Sequence, residues 1–298
     1  MRTISPINDF FFRYLFGETG HEHLTLDFIN AVLSDSGMGP LQKVVIKNPF
    51  NIRESVTSKE SILDIKAEDE NARLYDIEMQ LAGNEFFANR SLYYWAKCYT
   101  SQIGEGDDYR NLNPVICINV LDFELLRENP LVHSCFVLRE MKVHQMVLTD
   151  HLMIHFLSLT RFKKMRYTAE SHLTDWLTWF CFNIEDNMKG LDTILERNDA
   201  VREAHGLYER FTADKELMEK YEARQKYLRD VSTIKGVSRE EGYKEGLERG
   251  IEQGIEQGIE QGSRLERINM ASTMKNNGES PEKIQQYTGL SVAEINEL

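Results

Sequence analysis

Two short runs of this chain alternate apolar and polar side chains on either side of a polar reversal, and that pairing limits the possible fold more than any other feature. Residues 61–67 and 74–81 each carry the two-residue period of a half-buried strand. Glu68, Asp69, Glu70 and Asn71 between them suit a tight turn. The expectation is an antiparallel β-hairpin. In the first arm Leu63 and Ile65 share one face and Asp64 and Lys66 the other; in the second arm Glu78 and Gln80 share a face. If the arms pair as the turn directs, the polar faces coincide and Asp64 comes close to Glu78 and Gln80. Two carboxylates with a polar third member form the oxygen-rich set that a hard cation such as Mg2+ prefers, with Mn2+ as a substitute. A cation held there would polarise a phosphodiester oxygen and acidify a bound water.

The flanking sequence supplies the layers such a hairpin needs. Before it, apolar residues recur at helical spacing in two runs, Phe11, Phe12, Leu15 and Phe16, then Leu24, Phe28, Ile29 and Val32. Gly17 and the group Gly37, Gly39 and Pro40 punctuate them. A strand is expected over 41–46, and a helix with an aromatic face over 84–103, bearing Phe87, Leu92, Tyr93, Trp95 and Tyr99. A buried strand should follow over 114–121, and further strands over 134–138 and 147–156. That order points to an α/β protein with a mixed sheet. Beyond residue 168 the pattern is helical, with Trp176, Leu177, Trp179 and Phe180 as a core face and a charge-rich stretch over 191–235. The expected organisation is a main domain over 1–232, a glycine-repeat helix or linker over 233–264, and a small helical segment over 265–298.

The middle piece is a repeat. Gly242, Gly246, Gly250, Gly254, Gly258 and Gly262 recur every fourth residue, and Tyr243, Leu247, Ile251, Ile255 and Ile259 directly follow the first five. Because four exceeds the 3.6 residues of a helical turn, the apolar row on such a helix drifts around the axis beside a smooth row of glycines. Each glycine costs about 1 kcal/mol in a helix, so the segment is expected to need a partner if it is not simply a linker. After it, Ser280 with Pro281, and Ser291 after Gly289, mark the starts of two short helices. Lys283 is the only basic residue from Glu279 onward, so this pair is expected to pack against protein rather than DNA.

Composition narrows the function classes. Cys98, Cys117, Cys135 and Cys181 form no C-x-x-C pair, which argues against a zinc ribbon and a secreted disulfide framework and favours a reducing cytoplasm. No stretch approaches the roughly 18 uncharged apolar residues of a membrane span, and the opening residues form no apolar leader, so a soluble cytoplasmic protein is expected. The net charge of -13 counts against a nonspecific coat on DNA. A nuclease would then need a local basic surface. Arg161, Lys163, Lys164 and Arg166, interleaved with Phe162, Met165 and Tyr167, are the expected phosphate contacts, joined by Arg90. His151 and His155 lack the glutamate of H-E-x-x-H, so no zinc site is expected there. No glycine-rich phosphate loop with lysine and no G-x-S-x-G elbow is present.

The residues also resemble a family. Asp64, thirteen intervening residues, then Glu78-Met79-Gln80 resembles the D...ExQ variant of the PD-(D/E)xK motif, with glutamine where lysine usually stands. The run Asp9-Phe10-Phe11-Phe12-Arg13-Tyr14-Leu15-Phe16-Gly17 is similar to the D-x-x-F-K-x-x-F-G signature of the Rpn family of recombination-promoting nucleases and transposases. Asp69-Glu70-Asn71, Tyr75-Asp76-Ile77 and Arg90-Ser91-Leu92-Tyr93-Tyr94 match that family too. The likeness spans roughly residues 5 to 230, and the glycine repeat is similar to the tails of such proteins. It implies a restriction-endonuclease-like core (αβββαβ) followed by a helical extension, and a Mg2+-dependent DNA endonuclease acting in recombination, mobile-element biology or defence. Asp64 and Glu78 would be metal ligands with the Met79 carbonyl as a third, and Gln80 would orient the attacking water or the scissile phosphate. Lys66 would supply the positive charge that Gln80 lacks, and Asp9 or Glu18 a further acid from the first helix. Cutting both strands needs two sites, so a homodimer formed through the C-terminal helices is expected. The alternative is a catalytically inactive nuclease-fold protein that binds and oligomerises; Gln80 and the net charge keep it open, and the residues do not separate DNA from RNA.

Overall fold

The computed structural model describes residues 4–48, 64–83, 85–165, 170–182 and 188–298. Expectations that fall on Leu63, Arg166, Tyr167 and the Asp64 side chain lie outside the described residues. Two compact units divide between Tyr227 and Leu228, five residues before the boundary expected at 232.

The first unit is built on a six-stranded mixed sheet in the order β1-β2-β3-β4-β6-β5. The strands are β1 (Val44–Ile46), β2 (Asp64–Asp69), β3 (Leu74–Gln80), β4 (Val115–Leu121), β5 (His133–Val137) and β6 (Leu152–Ser158). β1, β2 and β3 pair antiparallel; β3, β4 and β6 run parallel, and β5 closes an edge antiparallel to β6. Every β4 residue is buried, as a strand covered on both faces must be. The helices α1 (Asp9–Gly17), α2 (Glu22–Asp35), α5 (His172–Phe180) and α7 (Asp199–Ala213) cover one face. There Tyr75, Ile77 and Met79 meet an aromatic cluster of Phe11, Phe12, Phe16, Trp176 and Trp179. On the other face α3 (Phe87–Thr100) lies over a smaller core of Cys117, Leu121, Ile154 and Phe156. α4 (Leu159–Lys164) follows β6, and α6 (Met188–Arg197) leads into α7.

The β2–β3 reversal is held by one side chain. Asp69 Oδ1 accepts from the amides of Asn71 and Arg73 at 2.8 and 3.0 Å, and Oδ2 accepts from Arg73 Nε at 2.6 Å and from the Tyr75 hydroxyl at 3.0 Å. Burial, and then the Asp69 charge, push the Tyr75 hydroxyl well up from its ordinary value, so it stays a donor. Ala72 completes the turn at φ 61, the left-handed region. The resulting register sets Asp64 against Glu78 and Lys66 against Asp76.

Two expected strands are shorter in the structure. The one over 41–46 forms only at Val44–Ile46. The one over 147–156 begins at Leu152: Val147 makes an isolated bridge with Arg139, and Leu148 is 70% exposed. The apolar residues 146–148 are therefore part of a projecting hairpin, and the polar Thr149 and Asp150 end it.

The second unit contains the distal part of α8 (Lys215–Asn276), with α9 (Pro281–Thr288) and α10 (Val292–Glu297). Ala271, Ile284, Leu290 and Ile295 form its core. Pro281 opens α9 at the first helical position, Gly289 at φ 71 ends it, and Ser291 and Glu294 cap α10 reciprocally. The glycine repeat is helical, within α8, and leaves Tyr243, Leu247, Ile251, Ile255 and Ile259 exposed. Among the described residues no helix is long and apolar enough to cross a membrane.

Asp69→Ala removes the acceptor of four donors, one of them a guanidinium, and a loss of about 3–5 kcal/mol is expected in urea unfolding followed by tryptophan fluorescence. His155 gives a pH signature. Burial, and then the charge of His133, pull it down from 6.5 to about 3. Its folded value lies below its unfolded one, so the unfolded chain takes the proton first and stability is lost as pH falls below about 6.5, by up to about 1.4 kcal/mol per unit. His172 acts in the opposite sense, because Asp27 raises it. The check is the difference in urea midpoint between about pH 7 and 5, which His155→Gln should reduce.

Candidate active site

Asp76, Glu78 and Gln80 alternate along β3, and all are buried, at 3%, 4% and 5% exposure. The period of the strand sets them opposite Tyr75, Ile77 and Met79, on the side covered by α3. The Cys117 thiol of β4 reports the same placement: burial pushes it well up, and the charges of Asp76, Cys98 and Glu78 push it further. Glu78 Oε2 accepts from Gln80 Nε2 at 3.2 Å, and Arg90 Nη2 lies 4.0 Å from that oxygen. Arg90 is itself fixed by α3, its guanidinium 5.1 Å from the Tyr94 ring centroid and 5.8 Å from that of Phe87, with Nε donating to the Tyr94 hydroxyl at 3.2 Å.

Neighbouring strands complete the frame. Asn119, opposite Glu78 on β4, donates through Nδ2 to the His155 carbonyl at 3.1 Å and accepts from Ser91 Oγ at 3.2 Å. Ser91 belongs to α3, so this bond ties that helix to the sheet beside Glu78. On the other side lie Asp64 and Lys66 of β2, in backbone register with Glu78 and Asp76. Two buried carboxylates two residues apart are costly without cationic compensation. Arg90 provides part of it at 4.0 Å, and the carboxylate and amide oxygens suit a hard divalent cation better than a soft one. Among the described residues no group of three or more His, Cys, Asp or Glu is arranged to hold a metal; the Asp64 side chain lies outside them.

The remaining expected site residues fall as follows. Met79 sends its side chain into the aromatic core at 1% exposure, so only its carbonyl can be offered to a ligand. Asp9 is the first residue of α1, and the cap is Asn8, whose side chain accepts from the Phe10 amide at 3.1 Å. Burial raises the Asp9 carboxyl, while its backbone bond, Arg224 and Arg13 act to lower it. Glu18 lies at the far end of that helix. Arg161, Lys163 and Lys164 of the basic cluster lie on α4, and these three are engaged. Lys163 pairs with Asp122 and Lys164 with Glu124, each at 2.6 Å, while Arg161 donates to the Leu126 carbonyl. His151 and His155 diverge, the first bonded to Tyr99 and the second near His133.

Asp76 is the site residue that sequence reasoning passed over, although the alternation that singled out Glu78 and Gln80 includes it. Asn119 and Ser91 had no local signal. The exit of β3 is also shaped by a close contact: the Asp122 amide donates to the Gln80 carbonyl at 2.9 Å, and the Phe123 ring fills the space beside Gly83.

A mixed α/β sheet thus carries two buried acids and an amide on one face of a hairpin strand. A family model described as PD-(D/E)XK nuclease family transposase matches residues 6–236, and the chain belongs to that family. Comparison with curated proteins and comparison with solved structures each gave no match.

A Cβ at Gly83 would sit 2.1 Å from Phe123 Cζ. Gly83→Ala should therefore displace that ring and cost about 1–3 kcal/mol in thermal or urea unfolding, with part of the loss recovered by adding Phe123→Leu.

Proposed function

We propose that the chain is a metal-dependent endonuclease that hydrolyses phosphodiester bonds of DNA, in recombination, mobile-element biology or defence. The observation that carries this reading is the buried Glu78 carboxylate, on one strand face with Asp76 and Gln80 and in register with Asp64 across the hairpin. Asp64 and Glu78, with the Met79 carbonyl, would hold Mg2+ or Mn2+. When bound, the ion supplies Lewis acidity at the phosphoryl oxygen and makes a coordinated water more acidic. Gln80 donates to Glu78, which leaves its amide carbonyl to orient a water. Lys66, in register with Asp76 on the neighbouring strand, brings a positive charge that glutamine at 80 does not. Asp9 is the candidate further acid.

Arg90, Arg161, Lys163, Lys164 and Arg166 are the proposed DNA contacts. Lys163 and Lys164 would exchange Asp122 and Glu124 for phosphates on binding, which lowers the net gain from each. A homodimer through the C-terminal helices would bring two sites to one duplex, and the exposed row from Tyr243 to Ile259 supports such pairing. The four cysteines are free, which supports a cytoplasmic protein. One observation favours the second reading, a catalytically inactive binding and oligomerisation protein: Gln80 donates to Glu78 Oε2 and Arg90 lies 4.0 Å from it, so protein groups partly occupy the oxygen that would face a metal.

The deciding experiment compares nicking of supercoiled plasmid by the wild type, Asp64→Ala and Glu78→Ala, with Mg2+, with Mn2+ and with chelator, at low salt. Metal-dependent nicking that both substitutions reduce to the chelator baseline is expected. Equal cleavage by all three proteins places the chemistry elsewhere, and a folded wild type with no cleavage favours the binding protein. A single-stranded RNA arm in the same assay separates the two nucleic acids.

A further inference from the structure

A second set of reactive groups lies on the opposite face of the sheet from Glu78, at the β5 edge. Asp35, the last residue of α2, places Oδ2 2.6 Å from His133 Nδ1. His133 Nε2 is 3.0 Å from His155 Nδ1, and His155 Nε2 is 3.7 Å from Cys135 Sγ. Ser36 Oγ approaches His155 Nδ1 at 3.5 Å, and the two imidazoles stack with centroids 5.2 Å apart. His133 and Cys135 alternate along β5, and Cys135 is directly opposite His155 in the β5–β6 register. His155 is fully buried, the His133 side chain is 7% exposed, and the Cys135 thiol belongs to an exposed residue. The row therefore leads from a buried base to a thiol at the surface.

One arrangement of its protons makes the row a relay. An ionised Asp35 only accepts, so His133 Nδ1 donates to it. Burial keeps His155 neutral at ordinary pH. In the tautomer that carries a single His133 proton at Nδ1, its Nε2 accepts from His155 Nδ1, and the lone pair of His155 Nε2 is left for the Cys135 S–H. Each ring nitrogen faces a different neighbour. The groups are strung in a line rather than gathered around a centre, in keeping with the absence of a metal-holding group among the described residues. Nucleophile, base and orienting acid in hydrogen-bond sequence is the arrangement that activates a thiol. Burial raises the Cys135 thiol, with Arg139 acting the other way, so it rests protonated and needs a base in order to react.

We propose that Cys135 is a site of reversible oxidation by hydroperoxides, with His155, His133 and Asp35 forming the relay that removes its proton. The thiol proton passes to His155 Nε2 while the Nδ1 proton passes to His133 Nε2, and the resulting imidazolium rests against Asp35. Sulfur then attacks one oxygen of hydrogen peroxide. The S–O bond forms, the O–O bond breaks, and sulfur gives up two electrons to become a sulfenic acid. The departing hydroxide regains the proton through the same relay and leaves as water; a small thiol reductant restores Cys135. His133 and Asp35 are positioning residues in this scheme. The site is independent of the nuclease reading.

The test treats the reduced full chain with hydrogen peroxide, traps sulfenic acid with dimedone, and measures labelling at each cysteine by mass spectrometry. Cys135 is expected to label about tenfold or more faster than half-buried Cys98 at neutral pH. Asp35→Asn and, separately, His133→Gln should lower the Cys135 rate about tenfold or more, with the urea midpoint of a folded variant near that of the wild type. Their rates should climb about tenfold per pH unit between roughly pH 6 and 8, like an unassisted thiol, while the wild type stays flatter. Equal labelling of Cys135 and Cys98 in the wild type overturns the proposal. So does a Cys135 rate, or a pH profile, unchanged in either folded variant.

Discussion

The buried Asp69 carboxylate accepts from the turn amides of Asn71 and Arg73, from the Arg73 guanidinium and from the Tyr75 hydroxyl. Those four bonds choose one register for β2 against β3. A slip of a single residue would turn Asp76, Glu78 and Gln80 into the aromatic cluster of Phe11, Phe12 and Trp179 and bring Tyr75, Ile77 and Met79 beneath α3. Neither arrangement could satisfy its buried groups. The parallel pairing of β3 with β4, the Asn119 bridge to α3, and the approach of Arg90 to Glu78 all assume the register that the turn has set.

An acidic chain with a nuclease-type fold spends many of its bases on itself. Lys163, Lys164 and Arg161 are tied to the segment after β4, Arg197 to Asp175, and Arg73 to Asp69. The bases nearest the β4 exit are therefore less available to a polyanion than their number suggests. Electrostatic steering toward a polyanion would be weak at a distance and would depend on short-range exchange of partners. Arg90 differs, since its ring contacts orient it toward a site acid while its side chain stays 38% exposed.

The parts of this architecture that were legible in the sequence are those decided by neighbours along the chain. The hairpin, the shared face of Glu78 and Gln80, the opening helices and the serine and proline starts of α9 and α10 follow from strand period, turn chemistry and capping. The parts that were not legible depend on which strands lie side by side. Asn119 meets Ser91 because β3 and β4 are parallel with α3 between them, and no local pattern encodes that bond. The pairing of Lys163 with Asp122 depends on β4 lying next to β6. Leu148 reads as a core residue by its chemistry, yet it belongs to a projecting hairpin. Asp76 was available to the same alternation argument as its neighbours and needed only its burial to stand out.

The glycine row of α8 has a consequence for cooperativity. Six glycines at about 1 kcal/mol each, with their Ile and Leu neighbours exposed, leave residues 242–262 with little local stability of their own. The row lies inside the second unit, in sequence between the first unit's core around Trp176 and Phe11 and its own unit's core around Ile284 and Ile295. A helix with so little local stability is expected to couple the two cores only weakly. Amide hydrogens there are expected to exchange through local opening, and the two cores to unfold as separate cooperative units, each with its own free energy.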